Sequence, residues 1–164
     1  MPVNGESEKK LVMVRTWKEE TTAKKIEWQN GWLSAWFDEF GFFQIFNDNQ
    51  LPQVNDPGKK VKGKDTIDLS KTDRIVFTPV DNYGIRSFRA ELDGKWLMFS
   101  NDKTKNYIYK FDEHCPYGVH ELKVRVEDIV GNVIEKTWWF KRSLYTPPPK
   151  KNVSSKKKVT SKKK

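Results

Sequence analysis

From His120 to Glu127 the chain alternates without a break. His120, Leu122, Val124 and Val126 fall on one side, and Glu121, Lys123, Arg125 and Glu127 on the other. A period of two is the signature of a β-strand with one face buried and one in water. The same pattern recurs on either side of it. In Ile85 to Leu92, Phe88, Ala90 and Leu92 oppose Ser87, Arg89 and Glu91. Asp93-Gly94 then marks a tight hairpin, with Lys95 to Phe99 as the return strand. Asn106 to Phe111, and Val133 to Phe140 after Gly131-Asn132, supply further strands, with Ile134, Trp138 and Phe140 sharing a face. Asp73 to Val80 and an opening run near Thr66 to Leu69 bring the total to about seven short strands. Turn signals separate them roughly every 8–12 residues, the profile of a small antiparallel β-sandwich. Nowhere here does strand alternate with long helix, which disfavours a doubly wound α/β fold.

Residues 9–54 form a second block. Lys10 to Trp17 reads as a strand and Ala23 to Trp28 as another. Trp28, Trp32, Trp36, Phe37, Phe40, Phe42, Phe43 and Phe46 then crowd one stretch. Spacing by four at 28, 32, 36 and 40 suits a helix face, but the same even positions suit a strand face. Gly31 and Gly41 interrupt the run and aromatics favour strands, so two strands with turns at the glycines are expected. A helix from about Trp32 to Phe40 is the alternative. Gln50 to Lys64, with Pro52, Pro57, Gly58 and Gly63, reads as the connection between blocks. The fold class is therefore all-β: a β-rich block over 1–54, an antiparallel β-sandwich over 55–145, and a disordered Pro/Lys-rich tail over 146–164.

Charge is unevenly placed. The chain of 164 residues carries a formal +9, with 31 basic against 22 acidic side chains. Eight of the lysines lie between Lys150 and Lys164, so the rest is close to neutral. Pro147, Pro148 and Pro149 favour an extended spacer before them. Such a tail, through Lys150, Lys151, Lys156, Lys157 and Lys158, is a candidate for salt-sensitive attraction to polyanions. A nucleic-acid-associated protein binding non-specifically through these lysines is the alternative function.

Two stretches together resemble a known family. Gly31 to Ser34 (Gly-Trp-Leu-Ser), Phe40 to Phe43 (Phe-Gly-Phe-Phe) and Asp48 to Pro52 are followed by Gly84 to Phe88, Asp93 to Trp96 (Asp-Gly-Lys-Trp) and Asp128 to Asn132. In this order they resemble the paired C-terminal β-sandwich region of bacterial lysostaphin-type zinc endopeptidases, which act on peptidoglycan. The resemblance covers roughly residues 9–142. It implies the cell envelope or periplasm, although the polar start of the chain has no apolar secretory segment. It also implies that the sandwich over 55–145 is an immunoglobulin-like antiparallel β-sandwich, and that a catalytic peptidase domain would precede this region, leaving residues 1–54 a partial β-sandwich block. The partners it implies are peptidoglycan or that peptidase domain.

No catalytic residue carries over. A zinc peptidase site needs several His and Asp ligands, and the chain has only His114 and His120, with no His-x-His pair. No enzyme activity, cofactor or metal is expected. His114, Cys115 and His120 lie close in sequence, but their spacing matches no zinc motif, and packing roles are favoured. Cys115 and its neighbour His114 would point apart on an extended chain, so they make a poor nucleophile and base. Glu19-Glu20, Asp38-Glu39 and Asp112-Glu113 read as solvated pairs. Asp128 with Gly131-Asn132 reads as a turn held by its own backbone contacts. Exposed indoles can stack on sugar rings, which makes Trp32 and Trp36 the candidate binding residues. Packing in the core or between blocks is the competing expectation for Trp28, Trp32 and Trp36.

Overall fold

A computed structural model describes residues 10–144, and among them there is no α-helix. The tail expected over 146–164, with Lys150, Lys151, Lys156, Lys157 and Lys158, lies outside the described residues. The first block contains β1 (Leu11–Trp17), β2 (Glu20–Lys25), β3 (Glu27–Gln29), β4 (Trp32–Ser34) and β5 (Phe42–Asn47). β1, β2 and β5 form an antiparallel sheet in the order β2-β1-β5, while β3 and β4 make a separate hairpin. The expectation of strands broken near the glycines holds, and the alternative helix over 32–40 does not form.

The two glycines act for different physical reasons. Gly31, at φ +82°, follows Asn30 at φ +51°, and this Asn-Gly pair closes the β3–β4 hairpin in the left-handed region. Gly41 does not provide a left-handed turn. A Cβ there would lie 2.8 Å from Arg15 Cγ and 2.9 Å from the Thr16 carbonyl oxygen, so its hydrogen permits a close approach to β1.

The second domain holds eight strands: β6 (Thr66–Asp68), β7 (Arg74–Phe77), β8 (Ile85–Leu92), β9 (Lys95–Leu97), β10 (Ser100–Asn101), β11 (Tyr107–Lys110), β12 (Gly118–Asp128) and β13 (Val133–Arg142). One sheet runs β6-β13-β12-β8-β9 and the other β10-β11-β7. Naming β7 to β13 in order B, C, C′, D, E, F and G gives sheets DEB and GFCC′, the strand order of an immunoglobulin-like sandwich. One pairing departs from the antiparallel expectation: β6 joins β13 in parallel, with Phe140 opposite Ile67.

The alternation foreseen in β12 is what builds the core. His120, Leu122, Val124 and Val126 are all buried, with Ile67, Ile75, Phe77, Ala90, Leu92, Tyr109, Trp138 and Phe140. Rings pack edge to face and offset within it. Phe77 lies 5.2 Å from Trp138 and 5.8 Å from both Phe88 and Phe99, and Phe88 stacks on Tyr107 at 4.2 Å. A second, smaller cluster joins the blocks. Val12 and Val14 of β1, with Ala23, meet Tyr83, Ile129 and Val130 from loops of the sandwich, and Phe46 stacks on Tyr83 at 6.1 Å. The connecting segment is itself packed. Gln53 exchanges backbone hydrogen bonds with Val80 at 2.8 and 2.9 Å, and Val54 is buried in the larger core.

The Asp93-Gly94 hairpin carries a pH-sensitive contact. Asp93 Oδ2 lies 2.7 Å from Nδ1 of the buried His120, and its Oδ1 accepts the Glu121 N–H at 2.9 Å. Burial pushes the Asp93 carboxyl up, but the hydrogen bonds from His120 and Glu121 outweigh it, so the net shift is downward. A depressed carboxyl stabilises the fold above its unfolded pKa, and that stability is lost as pH falls through the folded value. Asp93 is half exposed, so solvent screens the contact. Asp93→Asn, which still suits the left-handed turn, is expected to cost about 0.5–1 kcal/mol at pH 7. It should also flatten the loss of stability below about pH 4. Urea unfolding across pH checks this, and an unchanged acid limb would refute it.

Candidate functional site

The first block exposes a group of large aromatics. Trp32 is 77% and Trp36 83% exposed, against the competing expectation that they pack inside. Trp28 is 45% exposed. Their even spacing does not place them on one face. The two-residue turn at Asn30-Gly31 sets Trp28 opposite Leu33, and Trp32 opposite Gln29 on the other face of the hairpin. Glu27, Gln29, Trp32 and Ser34 therefore share a side.

Beside that side runs a groove of about 420 Å³, lined by Lys24, Lys25, Glu27, Gln29, Ser34, Ala35 and Trp36. It combines one large indole with ammonium, carboxylate, amide and hydroxyl groups. Trp36 also borders a second cleft of about 440 Å³, lined by Met13, Phe37, Phe40 and Phe43 together with Asp38 and Glu39. Phe37 meets Phe43 edge to face at 5.1 Å in this cleft. One tryptophan thus borders two clefts of mixed character.

Trp36 lies outside any strand, yet its segment is pinned. Arg15 is 4% exposed; its Nε–H donates to the Phe40 carbonyl at 2.8 Å, and its guanidinium pairs with Glu39 at 2.6 Å. The Trp36 indole N–H donates to Asp38 Oδ1 at 3.2 Å, which favours one orientation of the ring. Asp38 and Glu39, expected to be merely solvated, thus hold the indole and the loop. Arg15 was not foreseen as a site residue. In Lys10 to Trp17 it shares its strand side with Leu11, Met13 and Trp17, and the crossing of residues 35–41 over β1 covers it.

The histidines separate. His120 is buried, with Nδ1 on Asp93 and Nε2 2.9 Å from the Pro116 carbonyl, so both ring nitrogens are engaged. Cys115 is fully buried, and burial pushes its thiol up, away from a reactive thiolate. His114 is exposed and 3.3 Å from Asp112. Asp112, expected to be solvated, accepts the Tyr109 hydroxyl, which draws its own carboxyl down. Among the described residues, two carboxylate-bearing groups bring potential ligand atoms within 4.8 Å of one another: the exposed Asp112, Glu113 and His114, and the more buried Asp48, Asp81 and Asp128.

No family model and no curated protein matches the chain. Among solved structures, one match is the Bacteroides ovatus SGBP-B of a mixed-linkage glucan utilization locus, in complex with a mixed-linkage heptasaccharide. Identity is 16% and the TM-score 0.41, over 57% of this chain and 24% of that one. This chain thus corresponds to about a quarter of that protein's length, and the likeness is too slight to bear on fold or ligand.

Proposed function

We propose that the chain is a non-catalytic β-sandwich module that contacts a glycan polymer through the groove between the Trp36 indole and the Glu27–Ser34 side of the hairpin. The observation that carries this reading is Trp36 itself: 83% exposed, yet oriented by Asp38 on a loop pinned by Arg15. An exposed indole biased toward one orientation is a platform on which a sugar ring can stack at a reduced cost in ordering entropy. Hydroxyls and amides of the sugar would find Lys24, Lys25, Glu27, Gln29 and Ser34 beside it. Peptidoglycan is the polymer to test first, because the order of motifs resembles the accessory region of lysostaphin-type endopeptidases. On this reading the module positions a peptidase or spaces it from the wall, in the cell envelope.

Cosedimentation of the full chain with insoluble peptidoglycan, at low and near-physiological salt, tests it. Retention at the higher salt is expected, with Trp36→Ala weakening it about tenfold or more and Trp32→Ala less. Both side chains are exposed, so their removal should change stability by less than about 0.5 kcal/mol. Retention that is lost with salt, or with Lys156→Gln, Lys157→Gln and Lys158→Gln together, but not with Trp36→Ala, would replace the glycan groove by lysine electrostatics and favour the polyanion alternative.

A further inference from the structure

Three carboxylates converge where the two blocks meet. Asp48 follows β5, Asp81 stands in the turn before β8, and Asp128 ends β12. Each offers an oxygen within 4.8 Å of the others. Asp48 is 1% exposed, Asp128 is fully buried, and Asp81 is partly buried.

Asp48 and Asp81 each use one oxygen to hold backbone or a neighbour, and Asp128 uses both. Asp48 Oδ1 accepts from the Gln50 N–H and the Asn82 side-chain amide, both at 3.2 Å. Asp81 Oδ2 accepts the Tyr83 and Gly84 N–H groups at 2.9 and 3.0 Å. Asp128 Oδ1 accepts the N–H groups of Val130, Gly131 and Asn132, as its turn reading foresaw, and its Oδ2 accepts from Asn132 Nδ2 at 2.7 Å. Those bonds account for the loops but leave two atoms over. Asp48 Oδ2 and Asp81 Oδ1 are shielded from solvent and accept no hydrogen bond from the protein. Buried carboxylate oxygens without a donor are costly, and like charges this close repel. Burial, together with the repulsion of Asp48 and Asp128, pushes the Asp81 carboxyl up.

We propose that Asp48, Asp81 and Asp128 form a divalent-cation site of the calcium type, clamping the first block to the immunoglobulin-like domain. The donor set is all oxygen, which suits a hard cation rather than zinc. Calcium takes its ligands at about 2.3–2.6 Å, so two oxygens on one ion are at most roughly 5 Å apart, and these three meet that limit. The ion supplies the partner that the two leftover oxygens lack. It also bridges Asp48, which ends the first block, to two acids of the sandwich.

The test is calcium titration of the full chain by calorimetry after chelator treatment, with thermal unfolding in about 10 mM calcium and in EDTA, a concentration above the range of weak extracellular sites. One high-occupancy site per chain and a rise of about 3–8 °C in the unfolding midpoint are expected. Asp81→Asn and Asp48→Asn should each lose that rise, and Asp81→Asn should be no less stable than the parent chain in EDTA because it relieves repulsion. Terbium emission excited through Tyr83, displaced by calcium and weakened in Tyr83→Phe, reads the same site should neither acid variant fold. No heat and no shift in the parent chain would overturn the proposal, and a stabilised Asp81→Asn alongside that result would mean the acids share a proton instead. An undiminished rise in Asp81→Asn and Asp48→Asn would overturn it too, placing any calcium elsewhere, for example at Asp112 to His114.

Discussion

Replacing Phe77 by alanine is expected to destabilise the immunoglobulin-like domain by about 3–5 kcal/mol, the range for a fully buried aromatic. Phe77 has no exposure and touches Phe88, Phe99 and Trp138, so it joins β7 of one sheet to β8 and β13 of the other. Truncation removes the hub of that contact and leaves a cavity that three rigid rings cannot fill by small shifts. Against a domain stability on the order of 5–15 kcal/mol this is a large fraction, and the unfolding midpoint should fall by about 15 °C or more. Phe77→Leu retains most of the buried volume and should lose roughly half as much or less. Thermal unfolding followed in the near-ultraviolet, where Trp138 reports on the core, measures both. A loss below about 1 kcal/mol for Phe77→Ala would show that the inter-sheet cluster does not depend on this ring.

Asn132→Ala should have the next largest effect, for a different reason. The buried Asn132 amide donates to the Asp48 carbonyl at 3.0 Å and to Asp128 Oδ2 at 2.7 Å. Alanine removes one neutral and one charge-assisted hydrogen bond and leaves both acceptors buried and short of a donor. The expected cost is about 2–4 kcal/mol. Its distribution should be uneven. Asp48 belongs to the first block, so amides of β1 and β5 should exchange faster, while β12 and β13 stay protected by their own ladder. Hydrogen exchange resolves this, and a uniform change across the chain would mean that the blocks unfold as one unit whatever joins them.

The strands of the sandwich were legible because their signal is local. Period two in β8, β12 and β13, with Asp-Gly and Gly-Asn at their ends, specifies which side chains turn inward, since the pleat alternates them whatever the neighbours are. The fate of Trp28 and Trp32 was not legible in the same way. Even spacing implies a shared face only along one uninterrupted strand, and the Asn30-Gly31 turn reverses the chain between them. Arg15 shows the opposite limit. Its burial depends on a loop twenty-odd residues later that crosses its strand, and nothing in Lys10 to Trp17 encodes that crossing.

Local alternation and turn chemistry by themselves determined an all-β chain with an antiparallel sandwich, and the positions of its inward-facing residues. The tertiary structure decided which sparse polar groups meet. Asp48, Asp81 and Asp128 are 33 and 47 residues apart along the chain. Each reads alone as an ordinary loop acid, because hydrogen bonding to its own loop is a local property. Their mutual approach, and the two oxygens it leaves without a donor, are set by how one block docks on the other. That is a long-range property, and no short window of sequence contains it.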